Sequence, residues 1–115
     1  MTIITDIDPA TERAARTFIA KISARYDFAN AILFGSRARH TNRPDSDADI
    51  AVILQGRPGN FVITKLEMAD IAYDTLLETG IRIQPLPIWE DEWNDPETYS
   101  NPLLLRNIDR EGVHL

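Results

Sequence analysis

Two short apolar runs, Ala31–Phe34 and Ala48–Leu54, constrain this chain more than any other feature in it. Both are continuous rather than alternating; the second is rich in β-branched residues and broken only by Asp49. Runs this short, stopped by Gly35 in one case and by Gln55-Gly56-Arg57-Pro58-Gly59 in the other, read as strands buried on both faces. Such a sheet must be covered by helices, and the flanking periodicities supply them. Asp8 and Pro9 read as the cap and first residue of a helix over Pro9–Arg25, with Ala14, Ala15, Phe18, Ile19, Ile22 and Tyr26 at helical spacing. From Phe61 the spacing is helical again, with Leu66, Met68, Ala69, Ala72, Tyr73, Leu76 and Leu77 on one apolar face read as core, and Gly80 as the stop. Ile81–Ile88 is a third strand; Pro85 and Pro87 cannot donate to a ladder, so it is expected at an edge or regular only in its first half. Asn101, Pro102, the run Leu103–Leu105 with Ile108, and Gly112 mark a last helix. Ser36–Asp47 is a loop, with one helical turn near its start. The order α, β, loop, β, α, β, α describes an α/β (α+β) unit, a small sheet flanked by helices in a single domain over residues 1–115.

Composition narrows the function classes. Lys plus Arg number 12 against 18 Asp plus Glu, a net charge of −6, which disfavours tight binding to duplex nucleic acid. A chain with 43% hydrophobic and 26% charged residues is that of a globular protein with a core. It is short enough that any bulky substrate is expected to meet this domain directly. With no cysteine, thiol nucleophiles, disulfides and cysteine-ligated metals are excluded. Asp6 and Asp8 stand where a signal peptide needs basic and then apolar residues, and no stretch stays apolar long enough to span a bilayer, so the expected place is the cytoplasm, away from membranes.

The chemistry concentrates in Leu33–Leu54, LFGSRARHTNRPDSDADIAVIL. Gly35 lets the chain turn sharply and removes a side chain that would block a close ligand, leaving the next amides free to point at an anion. Ser36 adds a hydroxyl donor there. Asp47 and Asp49, two apart at the start of a strand, project to the same side, where paired carboxylates can hold Mg²⁺ jointly with phosphate oxygens. Arg37, Arg39 and Arg43 lie in the intervening loop with His40. A forked guanidinium suits a phosphate, so Arg37 and Arg39 are either phosphate ligands or exposed charges balancing the aspartates. The combination points to transfer chemistry on a nucleoside triphosphate.

Gly35-Ser36, ten intervening residues and Asp47-Ala48-Asp49, each joined to an apolar strand, resemble the GS-x10-DxD signature of the DNA polymerase β-like nucleotidyltransferases. GSRAR followed by SDADIAV is similar in particular to the minimal nucleotidyltransferases, the MNT proteins that pair as antitoxins with HEPN-type toxins. The likeness runs loosely along the whole chain, to Trp93, Asn101-Pro102 and Gly112. It implies a polymerase β-like mixed-sheet fold, with Gly35 and Ser36 on the triphosphate tail and Asp47 and Asp49 as catalytic ligands of magnesium; Arg37 or Arg39 is then expected on phosphate charge. It implies transfer of AMP from ATP to a hydroxyl, such as a tyrosine of a HEPN-type partner, with release of pyrophosphate. It also implies a third carboxylate on the strand after the central helix. Between Ile81 and Ile88 there is none; Arg82 or Gln84 stands where it is expected, with Glu78 before the strand and Glu90, Asp91 and Glu92 after it. That departure keeps two rivals open: an antitoxin-like module that neutralises a partner by contact, and a structural subunit whose aspartates cap a loop.

The remaining signals read plainly. His40 and His114 lack partners at metal-ligand spacing and are expected in solvent. Trp89 and Trp93 read as packing or partner-contact residues. The acids of Glu90–Glu97 read as a solvated face ahead of a contact for a basic partner.

Overall fold

The computed structural model describes residues 7–115; the segment 1–6, on which the expectation of no signal peptide partly rests, lies outside the described residues. The first helix, α1 (Pro9–Ser23), starts where the Asp8 carboxylate accepts from the Thr11 amide and hydroxyl, each at 2.8 Å. The amide bond first, with help from the nearby Arg37 charge, holds the Asp8 carboxyl below its usual range. The next strand, β1 (Phe28–Phe34), begins three residues ahead of its apolar run. A single helical turn, α2 (Ser36–Arg39), opens the polar loop, and β2 (Ala48–Leu54) has the expected bounds. Helix α3 (Phe61–Thr79) is capped by the Asn60 side chain, which accepts from the Ile63 amide at 2.9 Å, and Gly80 ends it at φ 79°.

The third strand, β3 (Ile83–Trp89), lies at the sheet edge and pairs with β2 along its whole length, from Ala48↔Ile83 to Leu54↔Trp89. Of the two expectations the edge placement is met, and there is no loss of regularity. Pro85 and Pro87 are two apart, so both ring nitrogens point away from β2, while Gln84, Leu86 and Ile88 present their amides to it. The Glu90–Glu97 region is a short helix, α4 (Glu90–Asn94), and a 3₁₀ turn (Pro96–Thr98), neither expected. Helix α5 (Pro102–Glu111) follows its Asn101 cap, and after Gly112 a two-residue strand, β4 (Val113–His114), pairs antiparallel with Leu33 and Ile32. The sheet order is β3-β2-β1-β4, mixed because β1 runs antiparallel to β2 and β4 while β2 and β3 are parallel.

Alternation sorts the sheet into two faces. Leu33, Ile50, Val52 and Ile83 pack against Phe18 and Ile22 of α1 and Met68 and Ile71 of α3. Ile32, Ala51, Ile53 and Ile88 pack against Tyr99 and against Leu105 and Ile108 of α5. The reading of α3 needs correction here: Met68, Ile71, Ala72 and Thr75 form its buried side, and Leu66, Tyr73 and Leu77 face out. The helix carries apolar residues on two opposite sides, so spacing alone did not reveal which of them met the sheet. No helix among the described residues is long and apolar enough to cross a membrane.

Gly112 joins α5 to β4 where the backbone runs hard against the sheet: a Cβ there would collide with Ile32 Cγ2 and the Ile108 carbonyl. Gly112→Ala is expected to cost about 1–3 kcal/mol as an overpacked site, read as a fall in the urea midpoint at unchanged slope. A variant as stable as the parent would show that β4 docks differently.

Candidate functional site

Phe34 pairs with Asp49 across β1 and β2, and this register brings the end of one strand to the start of the other. Gly35 follows at φ 77°, a backbone region costly for any residue with a Cβ. Its Cα also sits against the Asp49 carboxylate, and a Cβ would strike Asp49 Oδ2. Glycine is thus required for both conformation and space. The chain then enters α2 at Ser36, whose first amides have no carbonyl inside the helix. Arg39, exposed at the end of that turn, is close enough to Asp49 for its charge to favour the ionised carboxylate.

Asp47 and Asp49, in step with Ala51 and Ile53, project from the sheet face that carries α5. Asp49 is paired in register with Gln84, and Gln84 Nε2 donates to Asp47 Oδ2 at 3.2 Å. A cleft of about 440 Å³ lies over them, lined by Phe34, Asp47, Asp49, Lys65, Gln84, Pro85, Leu86 and Leu104. A second of about 260 Å³, sharing the Phe34 and Leu104 wall, holds Gly35 and Arg39 with Asn107 and Glu111. Burial first, then the negative charge of Asp47, pushes the Asp49 carboxyl above its usual range, with Arg39 pulling it back. Two half-buried carboxylates that repel each other, next to a neutral amide, suit a hard divalent cation that shares its remaining positions with ligand oxygens. Among the described residues no cluster of three or more His, Cys, Asp or Glu side chains could hold a metal by itself.

Gly35, Ser36, Arg39, Asp47 and Asp49 are therefore brought together; Arg37 is not. Its side chain is 3% exposed, and its guanidinium donates to the Ser46 carbonyl at 2.9 Å, the Thr11 hydroxyl at 2.8 Å and the Pro44 carbonyl at 3.0 Å. This is a correction to its reading as a phosphate ligand: Arg37 ties the loop before β2 to α1, and a guanidinium used three times internally is not offered to a ligand. Of the acids considered for the third position, Glu78 pairs with Lys21 at 3.0 Å on the α1 side of α3. Glu90 accepts from the Gly56 amide at 3.1 Å, beyond the far end of β3 and about 20 Å along the strand from Asp49. Gln84 alone stands beside the aspartates.

Lys65 was missed in the sequence, although it is the only basic residue of α3 and that isolation was a usable signal. It also lies over the Phe61 ring, 5.8 Å from its centre. His40 ends α2 with φ 59° and is exposed, and His114, exposed in β4, lies 3.0 Å from the Asn30 amide. Trp89 is buried, and Trp93 packs on the α5 side of the core. The acidic run has local work to do: Glu92 accepts from the Trp89 amide in the first turn of α4, and Glu97 pairs with Arg106.

Residues 18–87 match the sequence profile of the family described as "Polymerase beta, Nucleotidyltransferase". No curated protein matches the chain significantly. Among solved structures, a candidate nucleotidyltransferase from Sulfolobus solfataricus is similar at a TM-score of 0.49 and 16% identity, over 96% of this chain and 90% of that one.

Two predictions separate bracing from binding residues. Arg37→Ala is expected to cost about 2–4 kcal/mol in chemical denaturation, whereas Arg39→Ala at its exposed position stays within about 0.5 kcal/mol of the parent. Equal losses would contradict the assignment. A carboxyl held above its unfolded value supports the fold only when protonated, so ionised Asp49 costs stability at pH 7. Asp49→Asn, in chelator, should then raise the Tm by a few degrees at pH 7, and the gain should vanish as pH falls below the unfolded value of about 3.9. A thermal scan series showing no gain at pH 7 would count against the strained pair.

Proposed function

Because the chain belongs to the polymerase beta nucleotidyltransferase family, we propose that it is a Mg²⁺-dependent nucleotidyltransferase of the minimal, MNT type, moving AMP from ATP to a hydroxyl. The observation that carries this reading is the Asp47–Asp49 pair, set on one strand face against a glycine that leaves no side chain in the way. The two carboxylates would hold magnesium, which supplies charge neutralisation on the phosphates. Gly35 leaves room for the triphosphate tail, Ser36 donates its hydroxyl to it, and Arg39 offsets its charge. The acceptor hydroxyl gives its proton to solvent as its oxygen forms a bond to the α-phosphorus, the bond from that phosphorus to the bridging oxygen breaks, and pyrophosphate leaves with the electron pair. Positioning and electrostatics carry most of such a reaction. Gln84 can orient the acceptor hydroxyl but cannot take its proton. By likeness to the MNT proteins, the acceptor is a tyrosine of a HEPN-type toxin, and the chain acts as its antitoxin in the cytoplasm.

Gln84 also favours a second reading. With an amide at the one position beside the aspartates where a third carboxylate would stand, the same cleft fits a module that binds a nucleotide, or only its partner, without turnover.

Incubating the protein with labelled ATP, Mg²⁺ and the product of the adjacent gene distinguishes the two. Transfer of label that is lost in the Asp47→Asn, Asp49→Asn double variant, and raised about tenfold or more by Gln84→Glu, is the expected result. Partner binding and inhibition without labelled product at any ratio would leave the second reading. Wherever the cleft binds nucleotide, with or without turnover, Mg²⁺ with ATP at about 100 times its Kd should stabilise the parent by about 2.7 kcal/mol and the double variant far less; no stabilisation of the parent would leave only partner binding.

A further inference from the structure

The outer face of α3 carries an apolar stripe that no other element among the described residues covers. Ile63, Leu66, Tyr73 and Leu77 recur along it at helical spacing and are 55%, 63%, 59% and 67% exposed. The opposite side of the helix fills the core through Met68, Ile71, Ala72 and Thr75, so the side chains of the stripe lie outside it. Contiguous exposed apolar surface of this kind marks an interaction site.

Charge decides what fits it. Asp70 stands exposed in the middle of the stripe, four residues after Leu66 and three before Tyr73. Toward α1 the stripe is bordered by acids: Glu67, which accepts from the Tyr26 hydroxyl, Asp74, and Glu78, which is paired with Lys21. Lys65 is the one cation of the helix. An in-register two-fold pairing of α3 with a second copy, parallel or antiparallel about its middle, would bury Asp70 against Asp70 in an apolar seam. Unpaired buried charges of like sign make that pairing costly.

We propose that this face docks an amphipathic helix of a different protein, one whose apolar stripe holds a lysine or arginine at its centre and further basic residues along one edge. Asp70 pairs with the central cation, and the acidic border of α3 faces the basic edge. Beside the stripe, a groove of about 270 Å³ between α3 and β3, reached by Tyr73 and Arg82, shares Lys65 and Gln84 with the cleft over the aspartates. A helix seated on α3 therefore lies next to that cleft. The surface does not depend on whether the cleft turns over.

The test uses the full chain and two labelled synthetic helices with the same leucine stripe, one with lysine at its centre and edge and the other with glutamate there. In fluorescence anisotropy the lysine helix should bind and the glutamate helix should not. Leu66→Gln with Tyr73→Gln, which leaves the charge unchanged, should weaken binding at least about tenfold, or about 1.4 kcal/mol. Asp70→Lys should shift the preference toward the glutamate helix. All these positions are exposed, and an unchanged Tm confirms that the variants fold. Failure to bind the lysine helix, equal binding by the Leu66→Gln, Tyr73→Gln variant, or an unchanged preference in Asp70→Lys would each overturn the proposal. So would sedimentation of the parent as a dimer that the double variant dissociates, because the occupant would then be a second copy.

Discussion

The antiparallel register of β1 on β2 is the constraint on which the rest depends. It sets Phe34 opposite Asp49, and so brings the glycine that ends one strand against the carboxylate that begins the next. Side chains alternate along a strand, and a slip of one residue would turn Asp49 into the layer under α1 and α3 and Ile50 out of it. The burial that favours the register is therefore the same physical cause that aims the aspartates into the open cleft. β3, parallel and in full register on the other side of β2, adds Gln84 by the same logic.

A second layer of control lies in Arg37. The loop between Arg39 and Asp47 has little apolar content to hold it, and a single buried guanidinium joins its last residues to the first turn of α1. Asp8, capping that turn, has its charge favoured by the same arginine. Asp49 at the cleft is in the opposite condition, since burial and the negative charge of Asp47 disfavour its ionised form. Stability is thus built around the loop's base and given up at its mouth, as expected where a charged ligand is to be received.

Much of the architecture was legible because it rests on local signals. Asp8-Pro9, Asn101-Pro102, Gly80 and the ends of the two apolar runs each state a boundary through a cap, a ring or a turn, and the structure keeps those positions, while β1 starts three residues before its run. β4 was not legible, since two residues carry no period and Val113 is a strand only because Leu33 lies beside it. The side of α3 that is buried was hidden because the helix has apolar residues on two opposite sides. In the candidate site, Gly35, Asp47 and Asp49 could be read from type and spacing, whereas Lys65 comes from a helix distant in sequence.

By itself the sequence determined the three long strands, the three long helices, the family motif and the absence of an acid between Ile81 and Ile88. These depend on neighbours along the chain, where period, capping and composition act. Tertiary structure decided what each charged side chain is for. Arg37 and Arg39 lie two residues apart in one turn, yet one is locked by three oxygens, two of them carbonyls and one on another helix, while the other faces the cleft. Which acids lie near Asp49, and that an amide rather than Glu78 or Glu90 stands beside it, follow from strand order and register. Long-range pairing sets those distances, and no local pattern records them.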